Sequence, residues 1–445
     1  MRRVAVIGSG IAGLSAAWTL AGTGTCRVSL FEAGRYFGGH TNTVDVTLPD
    51  ASGQPVTHGV DTGFLVFNHR TYPELVRLFD DLGVATSASD MSFSAQSVAD
   101  DVEWCGSDLA SVFAQRRNLL RPSFLVMLAQ IVRFNRLTTR MALAGDDAQL
   151  AEPIGTFLDR HQFGDAFRRW YLLPMVACIW SCPTEQMLAF PIGTLIRFCH
   201  NHGLLQVTDR PQWYTVTGGA RTYVRRLLER LPDARLNTPV LALRRHGAAV
   251  GVTVTTAAGD EHFDAAVLAC HSDQALAILG DDASADERAV LGAIAYHPNR
   301  AVLHTDTLLL PKRPRAWAAW NYEHSADPQV EGSGVCLHYL LNRLQPLPFA
   351  QPVVVSLNPV RQPRPETVLA TIEYAHPVFD LAAVQAQRRL PALQGSRSTW
   401  FCGAWTGYGF HEDGLKSGLG VARAIAALDR ADADERSNPT ARRAA

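Results

Sequence analysis

Lysine is nearly absent from this 445-residue chain: Lys312 and Lys416 are the only two among 41 basic residues, and all the others are arginine. Chemistry that needs a lysine Schiff base therefore has two candidate side chains. An excess of either charge is missing too. Forty-one basic against 42 acidic residues leave a formal net charge of −1, so there is no uniform basic field and no nucleic-acid partner is expected. Cysteine is sparse and scattered. Of Cys26, Cys105, Cys178, Cys182, Cys199, Cys270, Cys336 and Cys402, only Cys178 and Cys182 lie close together, within an apolar segment where small core side chains are the simpler reading. No metal site or disulfide is expected, and a reduced cytosolic setting fits. Apolar material is plentiful: 47% hydrophobic against 19% charged residues excludes a disordered scaffold, and the length corresponds to about two or three domains.

From Val4 to Cys26 the chain carries no charge over 23 residues, behind Arg2 and Arg3, the outline of a signal peptide or a membrane span. Its internal order favours another structure. Val4 to Ile7 forms a short buried strand, Gly8, Gly10 and Gly13 form a turn, Ile11 to Gly22 follows as an alanine-rich helix, and a second strand, Val28 to Phe31, ends in Glu32. Each glycine has a separate task. Gly8 permits the tight strand-to-helix turn, Gly10 leaves room for a pyrophosphate against the backbone, and Gly13 lets helix and strand pack closely. The amino end of the helix, at Ile11 and Ala12, offers free amides and its positive dipole end to phosphates, and Glu32 can accept hydrogen bonds from an adenosine ribose. Together these predict a dinucleotide-binding βαβ unit.

After Glu32 the chain reads AGRYFGGHTNTV, with Gly38 and Gly39 just beyond the ribose-binding acid. Here the sequence resembles the flavin-containing amine oxidoreductase superfamily, which includes monoamine oxidases, protoporphyrinogen oxidases and carotenoid desaturases. The superfamily usually follows the paired glycines with an arginine near the FAD pyrophosphate; this chain has His40. The segment GVDTGFLVF, the block LNTPVLALRRHGAAVGVTV with Val240 at the position whose backbone meets adenine, and WYTVTGGARTYVRRL resemble further family segments. Near the carboxyl end, FCGAWTGYGFHEDGLKSGLGVARAIAAL places Gly403 at the end of a strand and opens a second glycine-rich helix at Gly414 and Leu415. A nicotinamide-only dehydrogenase has no need of that helix, so the resemblance implies FAD. Within the superfamily the chain looks most similar to bacterial FAD-binding proteins that accompany cyclopropane-fatty-acid-synthase-like methyltransferases.

The expected architecture is α/β, a Rossmann-like FAD/NAD(P)-binding domain built from residues 1–85, 215–297 and 395–429, with an interleaved α+β substrate domain from 86–214 and 298–394. Residues 86–214 read mainly as helix, and Ala301 to Leu310 and Pro352 to Leu357 as strands. The tail 430–445 is charged and lacks apolar periodicity, so disorder is expected there. One stretch stands apart: between Asp108 and Asp146 there is no acid but six arginines, Arg116, Arg117, Arg121, Arg133, Arg136 and Arg140. At ~100° per residue, Arg133, Arg136 and Arg140 fall opposite Phe124, Met127, Leu128 and Ile131 on a helix. That pattern suits peripheral contact of residues 116–140 with an anionic membrane surface, and equally a solvated surface helix.

Catalytic residues are hard to read, because a flavin supplies the hydride acceptor and the protein supplies orientation and shape. In relatives that oxidise amines, a strand lysine reaches the flavin through water; His304 occupies the corresponding position here, with Asp306 on the same strand face to orient it. Phe410 matches by spacing an aromatic flanking the flavin, and Trp213 and Tyr214 precede a second pair of glycines, Gly218 and Gly219. Asp413 reads as a helix cap, Glu412 as surface, and Lys416 as a cofactor or lipid contact unless a carboxylate pairs with it. The expected function is FAD-dependent hydride abstraction from a hydrophobic small molecule or lipid. Two alternatives stand beside it: an amine oxidase of soluble substrates, which the scarcity of lysine disfavours, and a non-catalytic FAD-binding partner protein at a membrane.

Overall fold

The computed structural model describes residues 1–144, 152–180, 187–205, 210–246, 250–324 and 335–437, with side chains as far as residue 430. Strand Arg2–Ile7 lies at the centre of a five-stranded, wholly parallel sheet. It pairs in register with Cys26–Phe31 on one side (Val4 opposite Val28) and Ala265–Leu268 on the other (Val4 opposite Ala265); Ala234–Arg235 and Thr399–Phe401 form the edges. Val4, Ala5 and Val6 are fully buried, as expected of a parallel strand covered on both faces. The period of two divides them. Val4 and Val6 join the core that contains Leu14 and Ala17 of helix Ile11–Gly22, whereas Ala5 and Ile7 join the one containing Val252, Val254 and Phe263. The latter residues belong to a three-stranded antiparallel sheet, Val240–Arg245, Val252–Thr256 and Gly259–Phe263.

The C-terminal helix, His411–Ser437, packs along Ile11–Gly22. It starts one turn before Gly414 and continues past Arg430, so disorder does not begin there: Ala431 and Ala433 are strong helix formers that extend a helix already nucleated by packing. The rest of the expected disordered tail, 438–445, lies outside the described residues, as does Cys182.

A second, seven-stranded sheet runs in the order Val368–Pro377, Tyr296–His304, Val354–Leu357, Leu337–Leu340, Trp320–His324, Phe93–Ser97 and Val102–Cys105, antiparallel except where Trp320–His324 meets Phe93–Ser97. The segment expected to be mainly helical thus begins with strands, two of which complete this sheet. The strand expected to run to Leu310 stops at His304, because the Asp306 carboxylate accepts the Leu308 amide at 3.0 Å and starts a short turn of helix. Helices Pro122–Ala144, Leu173–Trp180 and Ile192–Asn201 contribute to the same core as this sheet. Among the described residues no helix is long and apolar enough to cross a membrane; the uncharged run near the amino terminus is divided into strand, turn and helix.

Candidate functional site

The parallel sheet ends in a glycine cradle. Gly8 holds φ +104°, a region costly for any residue with a side chain, and a Cβ on Gly13 would stand 1.9 Å from the Gly8 carbonyl oxygen, so helix and strand touch through glycine alone. Gly10 differs: a Cβ there would meet nothing within 4 Å, although its neighbours are tightly packed. That open space faces the amino end of helix Ile11–Gly22, where free amides await an anion. Gly39 closes over it, its own Cβ position lying 3.2 Å from the Gly10 Cα. Glu32 is fixed beside the turn, Oε2 accepting from the Ser9 amide (2.9 Å) and hydroxyl (2.5 Å) and Oε1 from the Gly34 amide (2.7 Å). These features fit a dinucleotide: room over backbone donors at Gly10, with an oriented acid at the carboxyl end of the neighbouring strand.

The cradle opens into a cavity of about 1480 Å³, larger than the roughly 300–1,000 Å³ typical of a single small-ligand site. Gly8, Gly10, Ile11, Ala12, Glu32, Gly39, His40, Val240 and Gly403 all line it. Beyond them the walls turn aromatic and apolar: Met91, Phe93, Trp104, Tyr171, Met175, Trp180, Phe198, Trp213, Trp320 and Tyr339. Neither lysine is among the lining residues. The space therefore has a polar half and an apolar half.

Phe410 lies in the apolar wall, its ring stacked on Phe198 with centroids 4.8 Å apart and His202 at 5.8 Å. Phe198 is an aromatic neighbour of Phe410 that spacing alone did not reveal. Tyr214 is not in the wall. It belongs to strand Trp213–Val216, where successive side chains point to opposite faces; Trp213 faces the cavity, and the Tyr214 ring stacks on His69 at 4.4 Å.

His304 also lies elsewhere. It is fully buried inside the seven-stranded sheet, its Nε2 2.7 Å from the Ser356 hydroxyl, and it does not line the cavity. Ser356 is shared with His338 Nδ1 (2.7 Å), His338 Nε2 meets Glu323 (2.9 Å), and Arg361 pairs with Glu323 (2.8 Å). The Asp306 carboxylate does not orient the imidazole: its backbone amide donates to His304 Nδ1, while its carboxylate binds Arg364. Burial pushes His304 down to about 4, so it is a neutral link in a structural network.

Gly414 and Leu415 do not line the cavity either. Gly414 packs on Ile11, and Leu415 is fully buried beside the Ser15 hydroxyl. Because the helix starts at His411, the wall comes one turn earlier, from Tyr408, Gly409, Phe410 and His411. Asp413 caps this entry, accepting from the amides of Tyr408 (3.1 Å) and Phe410 (3.0 Å). Glu412 is buried, not surface: it accepts from the Glu74 and Leu75 amides at the start of helix Pro73–Leu82 and pairs with Lys416 at 3.2 Å. Lys416 thus finds a carboxylate.

Helix Pro122–Ala144 is a partition. Leu128, Ile131 and Asn135, on one face, line the cavity. On the outer side Leu125, Val126 and Val132 are exposed, as are Leu119 and Leu120 just before the helix, Leu120 at 88%. Of the six arginines, Arg117 pairs with Asp101, Arg121 bonds to carbonyls of Asp100 and Asp101, and Arg133 bonds to the His161 carbonyl. The local block is thus partly tied to the fold, leaving Arg116, Arg136 and Arg140 exposed and outside these pairings.

The residues that spacing missed come from strands and helices remote in sequence. His271 ends the turn after Ala265–Leu268, His376 lies on Val368–Pro377, and Trp180 and Phe198 lie on separate helices. Only their arrival in one cavity marks them.

A model of flavin containing amine oxidoreductases matches residues 11–320. No curated protein sequence matches. Among solved structures, cyclohexylamine oxidase from Brevibacterium oxydans superposes with a TM-score of 0.68 at 16% identity, covering 96% of this chain and 99% of that one. A CLA-producing fatty acid isomerase from P. acnes gives 0.64 at 16% identity, with 95% and 98% covered. Putrescine oxidase bound to putrescine gives 0.63 at 16% identity, with 96% and 99% covered. At these identities the likeness is one of fold.

Proposed function

Since the chain belongs to the flavin-containing amine oxidoreductase family, and is therefore an FAD-dependent oxidoreductase, we propose that it withdraws hydride from an apolar substrate, a fatty acyl chain or related lipid, held in the aromatic half of the cavity. One observation carries this reading: the space next to the glycine cradle is walled by large aromatic side chains, among them Trp104, Trp180, Phe198, Trp213 and Trp320, with no lysine. Bound FAD supplies the two-electron acceptor. The chain's own residues bind and orient. Gly8, Gly10, Ile11, Ala12, Glu32, Gly39, His40, Val240 and Gly403 would hold the cofactor, Gly13 keeping the turn compact, while Phe410 and Trp213 exclude water and align the substrate.

The partition helix supports a route from lipid. Its inner face walls the cavity, and its outer side presents exposed leucines and valines beside Arg116, Arg136 and Arg140, the composition of a surface lying on an anionic bilayer. The test is anaerobic mixing of the flavoprotein with fatty acids, phospholipids or amines while the visible flavin band is followed. Bleaching by acyl substrates is expected. Bleaching by amines alone would replace this reading with an amine oxidase, and a flavin left oxidised by all three would favour a non-catalytic partner protein. Flotation with anionic liposomes, reversed by salt, is expected in parallel; indifference to lipid charge refutes the membrane surface.

A further inference from the structure

Three histidines that the hydride chemistry does not require converge on the polar half of the cavity. His40 follows the glycine that closes over Gly10, so it stands beside the phosphate cradle. Its ring stacks on Tyr374 with centroids 4.9 Å apart, 5.1 Å from the ring of His376 and 6.3 Å from that of His271. All three imidazoles line the cavity. Part of the His40 ring faces that space, while Nε2 is sealed from solvent and meets no hydrogen-bond partner.

The tautomer of His376 is set by its neighbours. Asn358 donates to Asn299 Oδ1 (2.7 Å), which turns the Asn299 amide nitrogen toward His376 Nδ1 (2.8 Å). Nδ1 therefore accepts, and the ring proton of neutral His376 is on Nε2, as a donor. The surroundings are short of negative charge. Facing His40 are His376 and Tyr374 from the strand Val368–Pro377, His271 ahead of helix Ser272–Leu279, and His411 at the start of the C-terminal helix. Behind them, His297 faces His376, and Asp273 and Tyr296 adjoin His271. Tyr36 interacts with Tyr374 and Glu32, and Glu32 is already held by Ser9 and Gly34. Burial, with the neighbouring imidazoles, keeps His40 and His376 neutral in the empty chain. Three imidazoles at one end of a cavity, with the Asp273 carboxylate adjoining His271 alone, form a site for an anion that arrives with its charge.

We propose that His40, supported by His376 and His271, is the counter-charge for the pyrophosphate of FAD, and that FAD binding draws one proton from solvent onto this cluster. The inference rests on FAD occupying this cavity. No covalent bond changes: the pyrophosphate keeps its negative charge, a neutral imidazole becomes imidazolium, and the proton returns to solvent when FAD leaves. An arginine at residue 40, as the family pattern has, would carry its charge at every pH. Histidine makes the charge conditional, so affinity must fall as pH rises through the pKa of the bound form.

The experiment is FAD retention by the purified holoprotein after dilution, read as recovery of free-flavin fluorescence between about pH 6 and 9 with circular dichroism followed alongside. The dissociation constant is expected to rise with pH, by up to about tenfold per unit where the proton is lost. His40→Arg should keep FAD and flatten that dependence; His40→Gln should weaken retention at low pH and flatten it too. His376→Gln, which removes a supporting ring and leaves residue 40 intact, should shallow the slope. A dissociation constant independent of pH in the folded wild-type protein overturns the proposal, and so does the wild-type slope surviving in all three variants. A protein purified without any flavin would instead defeat the assignment of the cavity to FAD, a separate outcome.

Discussion

Gly418 and Gly420 are two residues apart on the C-terminal helix, and the fold treats an added methyl group at each in opposite ways. A Cβ on Gly418 would lie 2.1 Å from the Ala12 carbonyl oxygen and 2.3 Å from the Ser15 hydroxyl. Carbon and oxygen do not settle closer than about 3.3 Å, so the C-terminal helix and Ile11–Gly22 would have to separate by about 1 Å. Overpacking of this kind costs about 1–3 kcal/mol, and the gain of about 1 kcal/mol from replacing a helical glycine by alanine offsets only part of it. At Gly420 nothing lies within 4 Å, so only the gain remains. Gly420→Ala is therefore expected to be more stable than wild type by up to about 1 kcal/mol, and Gly418→Ala less stable by up to about 2 kcal/mol. Urea unfolding measures both, with an unchanged slope showing that stability and not the unfolded state has moved. Ile11 and Ala12 line the cavity, so Gly418→Ala should also release FAD more readily. If Gly418→Ala proves as stable as Gly420→Ala, the close packing of the two helices is not what holds the cradle in place.

Gly10→Val should leave the apoprotein folded, since the Cβ has open space, yet abolish FAD retention; full flavin occupancy in that variant would place the pyrophosphate elsewhere. Asp61→Asn should lose about 2 kcal/mol in urea unfolding, because both carboxylate oxygens accept, from the Ala220 amide, Thr43 and Gln345, and an amide group would turn donors toward donors; unchanged stability would refute that account. Trp213→Ala should slow flavin reduction by an apolar substrate on the order of tenfold, the loss of one buried aromatic wall, while Tyr214→Ala should leave it unchanged; equal effects would contradict the facing of this strand. His304 is held down to about 4 and His411 to about 3 by burial. Their folded values lie below the unfolded value, so the unfolded chain binds more protons below about pH 6.5, and stability is lost as pH falls from there, on the order of 1 kcal/mol per unit for each histidine. Urea midpoints that stay flat from about pH 7 to 5 would refute neutral burial.

The glycine cradle was legible because its chemistry is local: Gly8, Gly10, Gly13 and Glu32 fall within one strand–turn–helix–strand unit, and each glycine answers a backbone requirement. The aromatic half was not. Phe410 was visible from its spacing to Gly418, but Phe198 meets it only because the fold brings helix Ile192–Asn201 against the start of the C-terminal helix. His304 illustrates the converse error. Its distance along a strand matched a functional lysine, but whether a strand face meets a cavity or a neighbouring strand depends on sheet order, and here Val354–Leu357 lies alongside with Ser356 in reach. Glu412 was misjudged for a related reason. A carboxylate between a histidine and an aspartate reads as exposed until the start of another helix, whose first amides have no partner within it, is found against it.

The order of strands in the parallel sheet also governs how the protein is made. Arg2–Ile7 is synthesised well before one of its two partner strands, Ala265–Leu268, and the sheet is closed by Thr399–Phe401. A chain emerging from the ribosome can pair Arg2–Ile7 with Cys26–Phe31 at once, but it leaves the other edge of that strand unpaired until residue 268 has appeared, and lacks the helix that packs on Ile11–Gly22 until beyond residue 411. Pairings so distant in sequence fold slowly and leave apolar surface open to aggregation in the interval. FAD can then bind only after the segment through His411, which completes the cavity wall, has been made, and by binding the native state alone it stabilises the step that brings these distant segments together. Yield of folded protein, and not only activity, should therefore depend on how much flavin is present while the chain is folding.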